Sequence, residues 1–266
     1  MLAGVPADGV TVPAAVVAVA AGRPLRPVWE NQLGGLTFEI GSAEHRRFVK
    51  WAPHSSGLDL GAEVERLEWA ERFVAVPHVL DRGADDEGSW FVTAPLPGIN
   101  AVAERWKAEP ERAARAIGEG LRHLHDTLPV DACPFSWTTD DRLRFVRAAL
   151  GDGWHDPRRW HRDHQHLTPA AAVARLEDAP PVDRLVVCHG DACAPNTLID
   201  DDGRCSGHVD LGTLGVGDRW ADLAVATWST EWNYGRDVER VLLDAYGVDP
   251  DPERTQYFRL LWDLGP

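Results

Sequence analysis

The N-terminal third of the chain alternates hydrophobic and polar residues over short runs that turn residues separate. Alternation with a period of two predicts half-buried strands. The first three runs predict an antiparallel meander, and the last two add strands around the polar turn 85–88. The runs are Val28–Trp29, Leu36–Ile40, Arg47–Trp51, His78–Asp81 and Ser89–Thr93.

Two other stretches of this region predict helices. Leu58–Phe73 carries an apolar stripe at helical spacing, with charged residues between its members. Val10–Ala21 is apolar but shorter than the roughly 18 residues of a membrane span, and no basic residues precede it. We therefore expect an N-terminal helix and no membrane association.

Two prolines and a glycine interrupt the pattern at Ala94–Gly98, where a strand ladder cannot continue. We place a boundary there, between a β-rich lobe of residues 1–95 and a mainly helical lobe of residues 96–266. The predicted fold is therefore α+β in two lobes, and a cleft between lobes is a usual place for a small-molecule site. In the second lobe the pattern predicts helices over Pro110–Leu128, Asp141–Leu150, Thr168–Leu176 and most of Asp218–Trp262, an irregular polar insertion over Gly151–His166, a strand over Arg184–Cys188, and a hairpin from Thr197–Ile199 and Cys205–Val209.

Composition narrows the class of protein. The 266 residues have a net charge of -15, which disfavours nucleic-acid binding and suits attraction of a cationic ligand as well as solubility. The cysteines form no CxxC pair, and the group around Cys188, Cys193 and Cys205 matches no usual zinc spacing. Without a signal peptide, we expect a reduced cytoplasmic setting.

The strongest chemical signal is the loop Cys188–Leu198 (CHGDACAPNTL), which follows one predicted strand and enters another. Phosphoryl transfer needs a carboxylate that orients the acceptor hydroxyl, together with oxygen ligands for magnesium. Asp191 can supply the carboxylate, and Asn196 a neutral ligand for a hard cation. Asp210, at the end of the hairpin, is the second candidate magnesium ligand. His189 already has Asp191 beside it as a base, so we expect it to hold the loop.

The candidates for nucleotide binding lie in the first lobe. Of the 27 basic residues only Lys50 and Lys107 are lysine, and Lys50 stands in an apolar strand from which its ammonium could reach phosphates. Such a lysine needs a carboxylate partner. Glu63 is the first choice and Glu65 the second. The turn with Gly34 and Gly35 would let backbone amides approach phosphates, although it is not a Walker A loop.

At this point the residues resemble a known family, the aminoglycoside O-phosphotransferases, which share the protein-kinase-like fold. The resemblance rests on HGDACAPN at 189–196 together with DLGTLGVGDRWADL at 210–223. It extends to Phe48–Lys50, Glu63–Trp69, Leu96–Gly98, Leu124-His125 and Cys133–Phe135.

This resemblance implies magnesium-ATP as the cofactor and an aminoglycoside as the acceptor. Asp191 would be the catalytic residue, Lys50 and Glu63 the pair that positions ATP, and Asn196 and Asp210 the metal ligands. The segment from Ala94 to Leu96 would be the hinge whose backbone holds adenine. Asp222 would be a structural carboxylate.

The acceptor region departs from the family pattern. Thr213 replaces the usual arginine after DLG, and the chain ends in Leu261–Pro266 (LWDLGP) instead of DEFF. These departures favour a streptomycin-like 3''-phosphotransferase over a kanamycin-type 3'-enzyme. The acids that could attract a polycation are Asp152, Asp156, Asp163, Glu231 and Asp263.

Two other hypotheses remain open. The chain could be a kinase of the same fold for choline, homoserine or a peptide antibiotic, because its 12 tryptophans could cage a quaternary ammonium. It could also be a kinase-like binding module without catalysis, against which the intact Lys50, Asp191, Asn196 and Asp210 argue. The sequence leaves open the acceptor hydroxyl, a preference for GTP, and the oligomeric state.

Overall fold

The computed structural model describes residues 4, 6, 9–42, 45–151, 155–235 and 238–265. Contacts divide the chain into two compact units, Met1–Leu96 and Pro97–Pro266. The division falls inside the segment Ala94–Gly98, where Pro95 and Pro97 have no backbone N–H to give to a strand ladder.

The first unit contains an antiparallel sheet in the order β1-β2-β3-β5-β4. Its strands are β1 (Leu25–Glu30), β2 (Leu36–Ile40), β3 (Arg47–Pro53), β4 (Val79–Ala84) and β5 (Gly88–Thr93). Helix α1 (Ala14–Ala20) precedes the sheet, and α2 (Leu60–Ala70) lies between β3 and β4 in the chain.

The predicted strands and helices of this unit are present with shifted ends. Strand β1 is longer than its apolar pattern, and its register shifts between Pro27 and Trp29. A proline is tolerated there because β1 is an edge strand. Helix α2 begins after Asp59, whose side chain accepts a hydrogen bond from Ala62 N at 2.9 Å. This cap sets the helix start later than the apolar stripe alone predicted.

Alternation in β2 produces the core of this unit. Phe38 and Ile40 are almost completely buried, and Val49 of β3 and Val16 of α1 pack in the same cluster. Burial of each such side chain contributes about 1.5–3 kcal/mol. The polar positions between them face away, so Lys50 lies on the other face of β3 from Val49.

The second unit is mainly helical and carries two small sheets. Its helices are α3 (Glu104–Lys107), α4 (Pro110–Thr127), α5 (Thr139–Ala148), α6 (Pro169–Leu176), α7 (Trp220–Tyr234), α8 (Glu239–Tyr246) and α9 (Pro252–Leu264). Its strands are β6 (Ile99–Asn100), β7 (Leu185–Cys188), β8 (Thr197–Ile199), β9 (Cys205–His208) and β10 (Gly215–Asp218). The strand orders are β6-β8-β9 and β10-β7, all antiparallel.

Strand β10 was not expected from the sequence. It reads Gly-Val-Gly-Asp, and glycine and aspartate are depleted in strands. The strand forms because it pairs with β7. Its glycines leave room for a neighbouring segment, since a Cβ at Gly215 would lie 2.7 Å from the Ser136 carbonyl carbon, and one at Gly217 would lie 2.7 Å from Trp137 O.

The described part of the polar insertion, from residue 155 onward, is irregular apart from a short turn of 3-10 helix at Pro157–Arg159. Asp152 lies outside the described residues. Within the described residues, we find no helix with the length and apolar character that a membrane crossing requires.

Candidate active site

Asp191 lies on the loop between β7 and β8, and Asn196 holds its side chain. Asn196 Nδ2 donates to the backbone oxygen of Asp191 at 2.9 Å and to Asp191 Oδ2 at 3.1 Å. The other carboxylate oxygen, Oδ1, is buried and has no hydrogen-bond partner among the described residues. A half-buried carboxylate held in one orientation is an arrangement that can accept the hydrogen of a bound hydroxyl.

His189 fixes the start of this loop. Its Nδ1 accepts from Asp191 N at 3.3 Å, and its Nε2 donates to Val209 O at 2.9 Å. Both ring nitrogens are therefore used by the backbone of the loop and of the hairpin. The ring is also completely buried. These two hydrogen bonds hold the loop, which is the role that we expected for His189.

Asp222, in the first turn of α7, anchors the same loop through its carboxylate. Its carboxylate accepts from His189 N at 2.6 Å and from Gly190 N at 2.9 Å. It also accepts from His125 Nε2 at 2.9 Å. Burial by itself would raise the pKa of Asp222, but the hydrogen bond and charge of His125 and the loop N–H groups outweigh it and hold the pKa below 3.8.

His125, which lies in α4, connects this anchor to helix α8. Its Nδ1 lies 2.8 Å from the hydroxyl of Tyr246, at the end of α8. Burial raises the pKa of Tyr246 to about 12, so its hydroxyl keeps its proton. We had assigned no role to His125 or Tyr246, because no local pattern connects them to the loop.

Gly190 allows the loop to turn against Thr213. Its φ is +87°, and a Cβ built there would lie 2.4 Å from Thr213 O and 2.6 Å from Thr213 Oγ1. The same threonine hydroxyl donates to His189 O at 3.5 Å. The residue that departs from the family pattern is therefore packed directly against the turn that precedes Asp191.

The two candidate metal ligands are neighbours across the hairpin. Val209 N donates to Asn196 O at 3.0 Å, and Asp210 follows Val209. Asp210 has a φ of +61°, a left-handed conformation that aspartate tolerates better than most residues. Because Asn196 uses its Nδ2 on Asp191, its Oδ1 is the atom that can bind a cation.

This pair fits magnesium better than a metal that needs a full protein cage. Among the described residues, no three His, Cys, Asp or Glu side chains form a metal-binding group. Magnesium commonly takes one or two protein oxygen ligands and completes its shell with phosphates and water. Asn196 and Asp210 provide that kind of ligand set.

In the first unit, Lys50 is paired with Glu63 and not with Glu65. Lys50 Nζ lies 2.9 Å from Glu63 Oε1 and 2.8 Å from Oε2, and the two side chains are 16% and 6% exposed. Glu65 is exposed on α2. Such a pair holds the ammonium in one place, as positioning of phosphates requires.

The glycine turn between β1 and β2 uses its own N–H groups. Asn31 Oδ1 accepts from Leu33 N at 3.0 Å and from Gly35 N at 2.8 Å, while Gly34 N donates to Asn31 O at 3.2 Å. A phosphate at these amides would therefore have to replace the Asn31 side chain. Sequence reasoning missed Asn31, although asparagine that accepts from the next N–H groups is a common turn signal.

Of the three residues 94–96, two have no main-chain N–H group available for a ligand. Ala94 N donates to His78 O at 2.9 Å, and Pro95 has no N–H. Leu96 therefore supplies the N–H of this segment, next to the carbonyl of Ala94.

The candidate acceptor acids are in different states. Asp263 is buried, with a side chain 4% exposed, and Oδ2 accepts from His164 Nδ1 at 2.5 Å and from His161 N at 3.0 Å. Glu231 Oε1 lies 3.8 Å from Arg162 Nη2, and Asp163 is exposed. Asp156 is paired with Arg158 at 2.8 Å.

Comparison with known proteins places this geometry in a family. The model of the phosphotransferase enzyme family matches residues 26–258. The chain is 37% identical over 221 residues to an aminoglycoside 3'-phosphotransferase of Streptomyces fradiae, covering 79% of this chain and 81% of that protein. It is 34% identical over 233 residues to the streptomycin 3''-kinase of Streptomyces griseus, covering 82% and 84%.

Solved structures agree. An aminoglycoside-3'-phosphotransferase of type VIII superposes with a TM-score of 0.81 at 28% identity, over 94% of this chain and 97% of that one. The aminoglycoside phosphotransferase APH(3'')-Id of Streptomyces rimosus, in complex with ADP and streptomycin, gives 0.76 at 27% identity, over 96% and 99%. The family and the α+β fold class predicted from the sequence are thus confirmed. The chain belongs to the phosphotransferase enzyme family.

Proposed function

We propose that this chain transfers the γ-phosphoryl group of ATP to a hydroxyl of an aminoglycoside and so confers resistance to that antibiotic. The observation that carries the proposal is the carboxylate of Asp191, which Asn196 holds at Oδ2 on a loop that His189 and Asp222 anchor. The family of the chain and the names of its relatives agree with it.

Asp191 orients the acceptor and takes its proton. The acceptor hydroxyl donates its hydrogen to the Asp191 carboxylate. This hydrogen bond leaves a lone pair of the hydroxyl oxygen directed at the γ-phosphorus. As the new O–P bond forms, the bond between the γ-phosphorus and the bridging oxygen breaks, ADP leaves, and the proton goes to Asp191. Asn196 keeps the carboxylate from turning away, so little reorganisation is needed at the moment of transfer.

ATP is the second substrate. Lys50, held by Glu63, binds phosphate oxygens, and the Ala94 carbonyl and Leu96 N–H bind the adenine edge. The backbone N–H groups of Gly34 and Gly35 would bind phosphate oxygens only after their hydrogen bonds to Asn31 break. Asn196 and Asp210 would hold magnesium, which when bound offsets the negative charge of the phosphates.

For the acceptor we favour a streptomycin-like compound and its 3''-hydroxyl. Thr213 departs from the arginine that the family resemblance predicts after DLG, and the solved 3''-enzyme of Streptomyces rimosus holds streptomycin and ADP. Asp163 and Glu231 are the acids that would attract the polycation, whereas Asp263, the third candidate, is buried against His164 and His161 and is the weakest of the three. A kanamycin-type 3'-activity is the second candidate, because the relative from Streptomyces fradiae is a 3'-enzyme at 37% identity.

The test is transfer of labelled phosphate from ATP to streptomycin, kanamycin and choline, together with growth of a sensitive bacterium that expresses the chain. We expect transfer to streptomycin and growth on it, with Asp191→Asn as the inactive control. Transfer to kanamycin alone would favour the 3'-activity. Transfer to choline alone, or to none of the three, would overturn the proposal. We further propose a cytoplasmic location, where ATP is available.

A further inference from the structure

Helix α7 connects the catalytic loop to a group of aromatic side chains. Ser229 Oγ accepts from Ala194 N at 2.9 Å, so this part of α7 touches the loop that carries Asp191. Trp232 lies three residues further along, a rise of about 4.5 Å at 1.5 Å per residue. Side chains near Trp232 are therefore within reach of an acceptor that presents its hydroxyl to Asp191.

Four rings form the group, which we call the aromatic cluster: Trp228, Trp232, Trp262 and His161. The ring centroid of Trp228 lies 5.1 Å from that of Trp232 and 4.4 Å from that of His161. Trp262 lies 5.8 Å from Trp232. These are ordinary distances for aromatic packing. Trp228 is buried, whereas Trp232 is 42% exposed, so the cluster holds a tryptophan whose surface is open to a ligand.

One guanidinium group of the protein lies against the cluster, and another lies near Glu231. Arg259 Cζ stands 5.4 Å from the centroid of Trp228. Arg162, the neighbour of His161 in the chain, places Nη2 3.8 Å from Glu231 Oε1. The Arg162 side chain is 66% exposed and the Glu231 side chain 22% exposed, and a pair with one exposed partner at 3.8 Å contributes little stability. A ligand can therefore displace it.

Glu231 and Trp232 are suited to the two sides of a guanidinium. Adjacent residues of an α-helix point about 100° apart. A planar guanidinium stacks with its face on an aromatic ring and donates hydrogen bonds in its own plane, so the ring and the carboxylate can bind one group from two directions. An ammonium is compact and strongly hydrated, and gains less from the ring.

We propose that Trp232 and Glu231 form a guanidinium subsite for the acceptor, and that the acceptor's own guanidinium replaces Arg162 as the partner of Glu231. The proposal rests on the proposed function and narrows its substrate class to aminoglycosides that carry guanidino groups on a cyclitol. Trp232 and Glu231 act on binding of the acceptor and not on the transfer itself.

The experiment compares acceptors that differ at this group alone: streptomycin and an analogue whose guanidino groups are replaced by neutral ureido groups, with kanamycin as an acceptor that carries only ammonium groups. Trp232→Leu and Glu231→Gln should each raise the KM for streptomycin about two- to fivefold. For Trp232→Leu, the KM values for the ureido analogue, kanamycin and ATP should stay within experimental error of wild type, as should kcat. For Glu231→Gln, kcat and the KM for ATP should stay unchanged, and the KM for streptomycin should rise more than the KM values for the ureido analogue and kanamycin, which lose only the general attraction of one acid. Trp232→Phe keeps an aromatic face and should restore most of the affinity.

Arg162→Ala supplies a test in the opposite direction. Removal of the competing guanidinium should lower the KM for streptomycin severalfold and leave the ureido analogue unaffected. Arg159→Ala is the matched control, since it removes the same charge from an exposed position of the same insertion. It should leave every KM unchanged.

The outcomes separate this inference from the proposed function. If no aminoglycoside is phosphorylated, the proposed function fails. If streptomycin is phosphorylated but the variants change its KM and that of the ureido analogue equally, the function stands and the guanidinium subsite is refuted. Turnover of kanamycin without streptomycin refutes it as well. If Trp232→Leu does not fold, Trp232→Phe, Glu231→Gln and Arg162→Ala decide the question.

Discussion

The side-chain amide of Asn196 donates to both the backbone oxygen and the carboxylate Oδ2 of Asp191, at 2.9 and 3.1 Å. One hydrogen bond thus fixes the main chain of Asp191 and the other its carboxylate, and Oδ1 of Asn196 is the side-chain atom that we propose as a cation ligand. In the proposed reaction, the orientation of the base and the binding of the metal depend on the same side chain.

Replacement of Asp191 should abolish turnover without weakening the binding of ATP. Asp191→Asn removes the proton acceptor but keeps the shape of the side chain, so kcat should fall by about 10²–10⁴. The dissociation constant of ATP, measured by calorimetry, should remain within about twofold of wild type. A variant that melts at the wild-type temperature and retains a kcat within tenfold would exclude Asp191 as the base.

The two lysines of the chain form a matched pair. Lys50→Met removes two charge-assisted hydrogen bonds to Glu63 and the proposed phosphate contact, so the KM for ATP should rise about 10- to 100-fold. The KM for the acceptor should change little. Lys107 lies in α3, is 41% exposed and is paired with Glu104.

Lys107→Met is therefore the control and should leave both constants unchanged. If Lys107→Met raised the KM for ATP as much as Lys50→Met, the rise would come from loss of a positive charge in general and not from loss of the Lys50–Glu63 pair. Melting temperatures of both variants should be measured first, because Lys50→Met also leaves the buried Glu63 carboxylate without its ammonium.

Gly190 should tolerate no side chain. Gly190→Ala adds a Cβ to a residue whose φ is +87°. This Cβ would lie 2.4 Å from Thr213 O. The left-handed conformation alone costs about 1–2 kcal/mol, and the clash with a backbone atom displaces the loop before Asp191. We expect a lower melting temperature and a kcat reduced at least tenfold.

Gly57→Ala separates strain from clash. Gly57 has a φ of +73°, and a Cβ there meets nothing within 4 Å. This variant should lose a comparable amount of stability to strain but keep its kcat. A kcat for Gly190→Ala equal to that of Gly57→Ala would show that the contact with Thr213 does not position the loop.

His208 should make the protein less stable in mild acid. Burial, with a smaller contribution from the nearby His189, lowers the pKa of this histidine from an ordinary 6.5 to about 3. Between these values the unfolded chain binds a proton that the folded chain does not, so stability falls as the pH falls. The slope is about 1.4 kcal/mol per pH unit.

His208→Gln removes this proton. Between pH 7 and pH 5.5 the free energy of unfolding in urea should fall less in the variant than in wild type, by about 1 kcal/mol. The comparison is made within each protein, so a general loss of stability in the variant does not affect it. Equal decreases in both proteins would show that His208 does not drive the pH dependence.

Much of the fold followed from local pattern. Alternation identified the strands of the first unit, and helical spacing identified α2 and α4, because these signals depend only on neighbours in the chain. The ends of elements were less certain. Asp59 shortened α2 by capping it, and pairing extended β1 across Pro27. Strand β10 had no local signal at all, since its two glycines are there to fit Ser136 and Trp137.

The sequence by itself determined the chemistry of this protein: the HGDACAPN and DLG motifs, the strand lysine Lys50, and the family to which these residues belong. Tertiary structure decided which groups meet. His125 and Asp222 are 97 residues apart in the chain, and His164 and Asp263 are 99 apart, yet each pair shares a hydrogen bond. The same packing engages the carboxylate of Asp263 and leaves Trp232 exposed beside Glu231. Local propensity and periodicity carry no information about such pairs, because the helices that bring them together are held by burial of faces far apart in the sequence.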